Sequence, residues 1–244
     1  MSRPQALVVL APGTNRDRDA AFALDLAGAD SERVHLGELF ENPKRLHASQ
    51  LLVVAGGFSF ADALGAGRLF ALELVTRIRD ELARFVEDGK SVIGICNGFQ
   101  TLIRTGLLPG SDLAVALGPN AGGTFVCDWV HLQPESNTCI WTAGLDEPLE
   151  CPIAHGEGRF VCDQPTLDAL EANDQIAFRY MSGNPNGSMA DVAGICDTTG
   201  LVLGLMPHPE NHVISRQHPK HLRGHRRGLA RRLFEAGVNH AKEL

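Results

Sequence analysis

The sequence lacks three features that would each indicate a particular class of protein. Its 244 residues contain no apolar run that approaches the ~20 residues needed to cross a bilayer. The first residues show neither the long apolar region nor the cleavage site of a signal peptide. None of the six cysteines stands in a CxxC pair, which argues against a zinc ribbon or a thioredoxin-type site. These absences predict a cytoplasmic protein with reduced thiols and no membrane partner.

Basic residues are also fewer than acidic residues. The formal net charge is -7 at pH 7, so the protein as a whole is expected to bind no nucleic acid. Hydrophobic residues make up 44% and charged residues 21%, as in ordinary globular proteins. The sequence shows no internal repeat, low-complexity linker or clean boundary. We therefore expect a single domain over residues 1–244.

In the first half of the chain, short apolar segments alternate with segments whose apolar residues have helical spacing. The pattern predicts strands at 6–11, 33–36, 51–55 and 91–95, and helices at 17–27, 68–86 and 97–105. After Pro109 it predicts strands at 125–132, 176–180, 192–196 and 201–206, a strand entering a glycine-rich loop at 153–159, and a helix from about 228 to 240. Continuously apolar strands between helices are typical of a covered parallel sheet. The predicted fold is α/β, with a mostly parallel central sheet flanked by helices and some antiparallel strands in the second half.

A cysteine stands at one of the predicted strand-to-helix junctions. The segment GICNG places Cys96 between Gly94 and Gly98, which is the spacing of a nucleophile elbow with sulfur in place of the serine oxygen. A sharp turn there would lift the thiol to the carboxyl end of the sheet and place it near a helix N-terminus, which favours thiolate. Backbone N–H groups after the cysteine would face a developing oxyanion. The alternative is a buried cysteine in an ordinary turn.

A base and an orienting acid for such a thiol stand near the end of the chain. In LMPHPEN, residues 205–211, the prolines on both sides of His208 prevent a helix. His208 and Glu210 are two apart in an extended segment and can be held on the same side. Gly56 and Gly57 follow another strand and could donate N–H groups to an oxyanion. Each feature alone is commonly a loop or turn, but three of them at strand ends favour a catalytic site.

The chain resembles the class I (triad) glutamine amidotransferases, and more specifically the PurQ-type glutaminase subunits of phosphoribosylformylglycinamidine synthase. Seven stretches in the family's order carry the resemblance: PGTNRDRD, GGFS with Asp62, GICNGFQ, GLLPG, HGEGR, NPNGS and MPHPE. The most specific are CNG and AHGEGR, because sibling amidotransferases usually have Gly or Leu directly after the nucleophile.

The resemblance implies that glutamine is hydrolysed through a γ-glutamyl thioester on Cys96, with His208 as the base and Glu210 as the orienting acid. It implies an oxyanion hole formed by Gly57 and the backbone of Asn97. The implied substrate-binding residues are Gly56, Gly57, Phe58, Asn97, Gln100, His155 and Glu157. His155 and Glu157 lie on a loop that in this family faces either the site or the partner.

The resemblance also implies partners. The released ammonia would pass to a synthetase subunit of the PurL type, with a small subunit of the PurS type as a further partner. The synthetase would use ATP and Mg to make formylglycinamidine ribonucleotide from formylglycinamide ribonucleotide in purine biosynthesis, and this chain would carry no cofactor. Two alternatives stay open: an amidotransferase subunit of another synthetase, or a chaperone or redox protein of the DJ-1/PfpI type. That last group usually has histidine directly after the cysteine, where this chain has Asn97.

Three segments raise questions that the resemblance does not answer. The family usually has Tyr-Gly where this chain has Phe60-Ala61, and a basic residue where it has Thr124. Residues 216–232 are rich in Arg and His and would suit a nucleic-acid patch, a solvated face docking on an acidic partner, or a metal site. The candidate metal ligands are His208, His212, His218, His221 and His225. Because prolines break any regular ligand spacing, we expect the docking face and no metal.

Overall fold

The computed structural model describes residues 2–110 and 112–244. In the first part of the chain, strands and helices alternate as predicted. The strands are β1 (Gln5–Leu10), β2 (Asp30–His35), β3 (Leu51–Val54) and β4 (Ser91–Ile95). The helices are α1 (Asp17–Ala27), α2 (Leu36–Glu41), α3 (Lys44–Ala48), α4 (Arg68–Glu87) and α5 (Asn97–Thr105).

Strands dominate the second part of the chain. They are β5 (Ala116–Pro119), β6 (Val126–Pro134), β7 (Leu149–His155), β8 (Glu157–Val161), β9 (Ile176–Met181), β10 (Val192–Cys196) and β11 (Val202–Leu205). The helices here are α6 (Gln164–Ala172) and α7 (Arg231–Ala241). A short 3-10 helix, Pro209–His212, follows β11. The expectation of an extended segment without a helix at His208 and Glu210 is therefore wrong, because a proline in the first turn of a helix lacks only an N–H that would have no partner there.

One nine-stranded sheet has the order β2-β1-β3-β4-β11-β10-β9-β6-β7. The first five strands are parallel neighbours, and the remaining pairings are antiparallel. Strands β5 and β8 form a separate antiparallel pair. The predicted fold class is confirmed, and the antiparallel strands come from the second half of the chain, as expected. The single domain over residues 1–244 stays a prediction, which a sheet shared by both halves supports.

Some elements differ from the prediction. Residues 153–159 contain the end of β7 and the start of β8, joined at Gly156, where we expected one strand entering a loop. Helices α2 and α3 have six and five residues, too few to show a helical period. Helix α6 was not predicted, although the sequence contains a signal for its start: Asp163 caps its N-terminus. Helix α7 begins at Arg231 rather than near Gly228, whose φ of +69° does not suit a helix.

The core is formed where helices cover the sheet. Strands β3 and β4 are buried along their whole length, and both α5 and α7 pack on them. This explains why the two strands read as continuous apolar runs rather than alternating ones. Helix α4 buries residues along one face: Phe70, Ala71, Leu74, Ile78, Leu82 and Phe85. No helix in residues 2–110 or 112–244 is both long and apolar enough to span a bilayer.

Three functional segments meet at one edge of this sheet. Strands β3, β4 and β11 are adjacent and parallel, so their carboxyl ends lie side by side. Gly56 and Gly57 follow β3, Cys96 follows β4, and His208 follows β11. The topology therefore brings together residues that are far apart in the sequence, at the edge where α/β proteins bind ligands.

The approach of α5 to β3 is close enough to require glycine at one position. A Cβ atom on Gly98 would lie 1.9 Å from the carbonyl oxygen of Val54. Backbone of a buried strand cannot move aside as the end of a flexible side chain can. Gly98 therefore fixes the distance between the helix that begins after Cys96 and the strand that precedes Gly56.

We expect Gly98→Ala to lower the free energy of unfolding by roughly 2–3 kcal/mol, although alanine is the better helix former by ~1 kcal/mol. The matched control is Gly37→Ala in α2, where a Cβ would meet only the His35 ring at 3.8 Å. The control should be neutral or stabilising. Chemical denaturation of both variants measures the difference, and equal effects would contradict the close approach.

Candidate active site

Cys96 occupies a strained turn between β4 and α5. Its φ is 52° and its ψ is -105°, a backbone conformation that residues other than glycine rarely adopt. A Cβ on Gly94 would lie 2.7 Å from the backbone of Gly98, so the two glycines face each other across the turn. This explains why the cysteine stands between residues without side chains. The turn also places Cys96 directly before the first N–H groups of α5, which have no partner within the helix.

His208 and Glu210 form a buried pair beside this cysteine. The Nδ1 atom of His208 lies 2.7 Å from Oε1 of Glu210, and Glu210 is fully buried. Burial alone would lower the pKa of His208, but the Glu210 carboxylate and the Cys96 side chain outweigh it and raise the pKa well above the ordinary value. His208 is therefore held as an imidazolium between an acidic partner and the sulfur.

A small pocket opens over Cys96. Its volume is about 170 Å³, below the roughly 300–1,000 Å³ of pockets for drug-sized ligands, which favours a ligand of amino-acid size. The lining residues are Gly57, Phe58, Asp62, Ala66, Cys96, Gln100, Phe125, Ala154, His155, Gly156 and Glu157. The rings of Phe58 and Phe125 stack with centroids 6.4 Å apart, and both are exposed.

Asn97 anchors one wall of the pocket. Its Nδ2 atom donates to Oδ1 of Asp62 at 3.0 Å and to Oε1 of Gln100 at 3.1 Å, while the Ser59 hydroxyl donates to its Oδ1. Gln100 in turn donates to the backbone carbonyl of Glu157 at 2.6 Å. The network joins α5, the segment after β3 and the start of β8, and so fixes the Gln100 amide and the Glu157 backbone.

Asp62 brings a second acidic group to the pocket. Partial burial, followed by the nearby charge of Glu157, raises the pKa of the Asp62 carboxyl, and the hydrogen bond from Asn97 opposes this. Asp62 and Ser59 are absent from the residues expected to bind substrate, although both belong to a stretch that carries the family resemblance. Their contacts with Asn97 become visible only in the fold.

His155 is neutral and held in one orientation. Burial, with the charge of His208 as a second cause, lowers the pKa of His155 to about 4. Its Nδ1 donates to Oδ1 of Asn120 at 3.0 Å, and Asn120 donates back to the His155 carbonyl. Nε2 therefore carries the lone pair, and within the described ranges it is buried without a partner. Asn120 is absent from the residues expected to bind substrate, and its contact with His155 becomes visible only in the fold.

The structure brings the expected residues together. Gly57, Phe58, Gln100, His155 and Glu157 line the pocket with Cys96, and Asn97 supports its wall. Gly56 lies beneath the catalytic candidates, since a Cβ there would be 3.0 Å from the His208 ring. The chemical roles assigned to these residues stay predictions.

Comparison with known proteins identifies the family. A family model for the CobB/CobQ-like glutamine amidotransferase domain matches residues 3–241. A phosphoribosylformylglycinamidine synthase subunit PurQ from Treponema denticola is 47% identical, with 98% of this chain and 99% of that protein covered. The corresponding protein from Dehalococcoides mccartyi is 39% identical, with 90% of each chain covered.

One solved structure supports the same family, and a second supports the fold. A chain in the structure of PurLQS from Thermotoga maritima superimposes with a TM-score of 0.79 at 36% identity, covering 97% of this chain and 98% of that one. A glutamine amidotransferase from the same organism, with a TM-score of 0.55 at 17% identity and 89% and 80% coverage, shares the fold. The chain thus belongs to the PurQ family of the CobB/CobQ-like glutamine amidotransferases.

Proposed function

We propose that this chain is the glutaminase subunit of a phosphoribosylformylglycinamidine synthase and that it hydrolyses glutamine to glutamate and ammonia at Cys96. The proposal rests mainly on the buried His208–Glu210 hydrogen bond beside a cysteine at the N-terminus of α5. The amino-acid-sized pocket above the sulfur supports it. The relatives described above are PurQ subunits, which favours this function over a subunit of another synthetase or a DJ-1/PfpI-type protein.

The first half of the reaction forms a thioester. The Cys96 thiolate attacks the carboxamide carbon of glutamine, and the carbonyl oxygen becomes an oxyanion. The N–H groups of Gly57 and Asn97 stabilise this oxygen, which is the largest contribution expected in acyl transfer. The His208 imidazolium then donates its proton to the leaving nitrogen, the C–N bond breaks, and ammonia departs.

The second half releases glutamate. His208, now neutral, takes a proton from a water molecule that attacks the thioester carbon. The tetrahedral intermediate collapses, the C–S bond breaks, and the thiolate and imidazolium are restored. Glu210 stays ionised throughout, because its role is to orient His208 and stabilise its positive charge.

The residues around the sulfur bind glutamine in this proposal. We assign the contacts to Gly56, Gly57, Phe58, Asn97, Gln100, His155 and Glu157. The Glu157 side chain, with the nearby Asp62, supplies the negative charge that a substrate ammonium group requires. His155 contributes an acceptor at Nε2 rather than a charge, because its pKa lies far below neutral pH.

The ammonia is consumed elsewhere. We propose that a PurL-type synthetase, assembled with a small PurS-type subunit, uses it with ATP and Mg to convert formylglycinamide ribonucleotide to the amidine. The PurLQS assembly of the Thermotoga maritima relative supports this arrangement. ATP and nucleotide binding then belong to the synthetase, glutamine hydrolysis needs no cofactor in this chain, and the complex works in the cytoplasm.

Cys96 should react selectively with a diazo-ketone analogue of glutamine, because the pocket directs the electrophile to this sulfur. Cys127 is the exposed competitor, whereas burial raises the pKa of the Cys139 and Cys151 thiols well above the ordinary value. Peptide mass mapping should find one label, lost in Cys96→Ser, kept in Cys127→Ser and suppressed by glutamine. Labels spread over several cysteines would contradict the assignment.

His208→Ala should lower kcat/KM for glutaminase activity by about 10²–10⁴-fold, and Glu210→Gln should have a smaller effect, because a base transfers the proton and its partner only orients it. The Glu210 charge raises the pKa of His208. Its removal lets the imidazolium lose its proton at lower pH, so the alkaline limb of the pH profile should move to lower pH in Glu210→Gln. Full activity in His208→Ala together with loss in His155→Ala would instead assign the base to His155.

The isolated chain should be a poor glutaminase, and its activity should rise roughly 10-fold or more with synthetase, small subunit, ATP and formylglycinamide ribonucleotide. The exposed Phe58–Phe125 stack at the pocket mouth offers an apolar contact for the partner, which would order the site. Glutamate release measures the activation. Phe125→Ala should weaken it, whereas Phe22→Ala, which truncates an exposed ring on α1, should not. Unchanged activity on adding the partners would refute the coupling.

A further inference from the structure

A second cluster of titratable side chains lies at the amino end of β7. Nε2 of His218 lies 3.0 Å from Oε1 of Glu150, and Nε2 of His225 lies 2.7 Å from Oε2. One oxygen and two nitrogens from these residues fit within 4.8 Å of one another. Glu150 and His218 are buried, whereas His225 is partly exposed. The cluster thus has an interior side and a path to solvent.

More imidazole and aromatic groups surround these three residues. Nε2 of His131 lies 3.8 Å from Oε1 of Glu150. The Nδ1 atom of His212 donates to the Glu150 backbone carbonyl, and its other nitrogen is buried without a partner in the described part of the chain. The Trp129 ring packs edge-on against His212 and His218, with centroids 5.1 and 4.4 Å apart. An apolar wall therefore closes one side of the cluster.

Simple ion pairing does not account for this arrangement. Three imidazole nitrogens approach a single carboxylate, so protonation of all three would leave excess positive charge at a largely buried position. The rings of His218 and His225 stack with centroids 4.0 Å apart, which two like charges would oppose. Nε2 of His225 is also not aligned for a hydrogen bond, despite its distance from Oε2. Nε2 of His218 donates to Oε1 of Glu150, and its Nδ1 accepts from the Lys220 backbone N–H at 3.0 Å, so this ring binds a cation at Nε2 by releasing a proton, as metal binding commonly does. A single cation in place of the protons would neutralise the carboxylate without placing like charges on the stacked rings.

We propose that Glu150, His218 and His225 bind one divalent transition-metal ion, of which Zn²⁺ is the representative. Two imidazoles with a carboxylate suit zinc, cobalt or nickel, whereas Mg²⁺ and Ca²⁺ prefer sets of oxygen ligands. Tetrahedral bonds of about 2.0–2.1 Å place ligand atoms about 3.3 Å apart, so small side-chain rotations bring the three atoms into position. His131 or water supplies the fourth ligand from the solvent side.

Glu150 is positioned for this role. Its Oε1 accepts from Nε2 of His218 at 3.0 Å, and its Oε2 lies 2.7 Å from Nε2 of His225. Both carboxylate oxygens therefore face the imidazole nitrogens of the cluster.

The ion would fasten the segment 212–228 to the sheet. The backbone N–H of Glu150 donates to the carbonyl of Gly228 at 2.8 Å, so both ends of the segment already contact β7. Gln217 on the same segment donates to the Glu210 carbonyl at 3.2 Å. The site is structural, and it lies next to the loop that holds the candidate catalytic pair without sharing a ligand with it.

This site differs from the one considered in the sequence. Of the five histidines, the fold separates His208, which pairs with Glu210, from His218 and His225. The missing ligand, Glu150, lies 68 residues from His218, so no local spacing could reveal it. The expectation of no metal rested on that spacing alone.

The test uses the full untagged chain after chelator treatment, with Zn²⁺ or Co²⁺ as the probe. Calorimetry should give one ion per chain, and Co²⁺ should produce the visible d–d absorption of a low-symmetry nitrogen and oxygen site. At a hundred times the dissociation constant, Zn²⁺ should raise Tm by about 5–10 °C. Mg²⁺ should have no effect. These readouts do not depend on glutaminase activity.

The variants separate this site from other ligands. His225→Ala, at a partly exposed position, should fold and lose at least about 10-fold in Zn²⁺ affinity together with the Co²⁺ spectrum. Glu150→Gln should show the same loss of Zn²⁺ affinity and of the Co²⁺ spectrum, provided that circular dichroism shows the variant to be folded. His221→Ala in the same segment is the matched control and should bind as the wild type does. No stoichiometric binding by the wild type, or binding that survives His225→Ala and Glu150→Gln, would overturn the proposal.

Discussion

The site depends on the contact between α5 and β3. Because Gly98 allows the helix to touch the Val54 carbonyl, the N-terminus of α5 lies directly beside the end of β3, and Cys96 in the connecting turn adopts a positive φ. The same contact sets the separation between Cys96 and Gly56. A larger residue at either position would move the sulfur away from the groups that must act on it. The strain at Cys96 is therefore a consequence of packing, and the sheet holds it in place.

The other half of the site depends on charge. Glu210 is fully buried, and a buried carboxylate without a partner would be costly. His208 provides the partner, and Glu210 in turn keeps His208 protonated. Strand β7 runs past this pair, since its Pro152 carbonyl accepts from the His208 backbone N–H. The same strand carries Glu150, two residues before Pro152. The Pro209–His212 helix thus contains one buried carboxylate, Glu210, and contacts through His212 the residue that carries the other, Glu150. Each carboxylate has histidine partners.

Local patterns were enough to predict some of this, for a physical reason. A strand-to-helix turn needs glycines close to the nucleophile in the sequence, and His208 and Glu210 are two residues apart, so both motifs are local. The parallel sheet was readable because its strands are buried on both faces. Asn120 and Glu150 could not be predicted in the same way. Their contacts with His155 and His218 cross 35 and 68 residues and exist only after β6 and β7 have joined the sheet.

The two departures from the family pattern have different physical meanings. At Thr124 the turn uses the backbone, because Asn120 donates to the Thr124 carbonyl at 2.9 Å, so the turn does not require a basic side chain. Ala61 has a φ of 54°, where the family's usual glycine would be free of strain and alanine costs about 1 kcal/mol or more. The segment is nevertheless held, because Ala61 donates to the Phe58 carbonyl at 2.9 Å and the following Asp62 binds Asn97. These hydrogen bonds at the wall of the pocket therefore offset the backbone strain of alanine in the turn that leads to it.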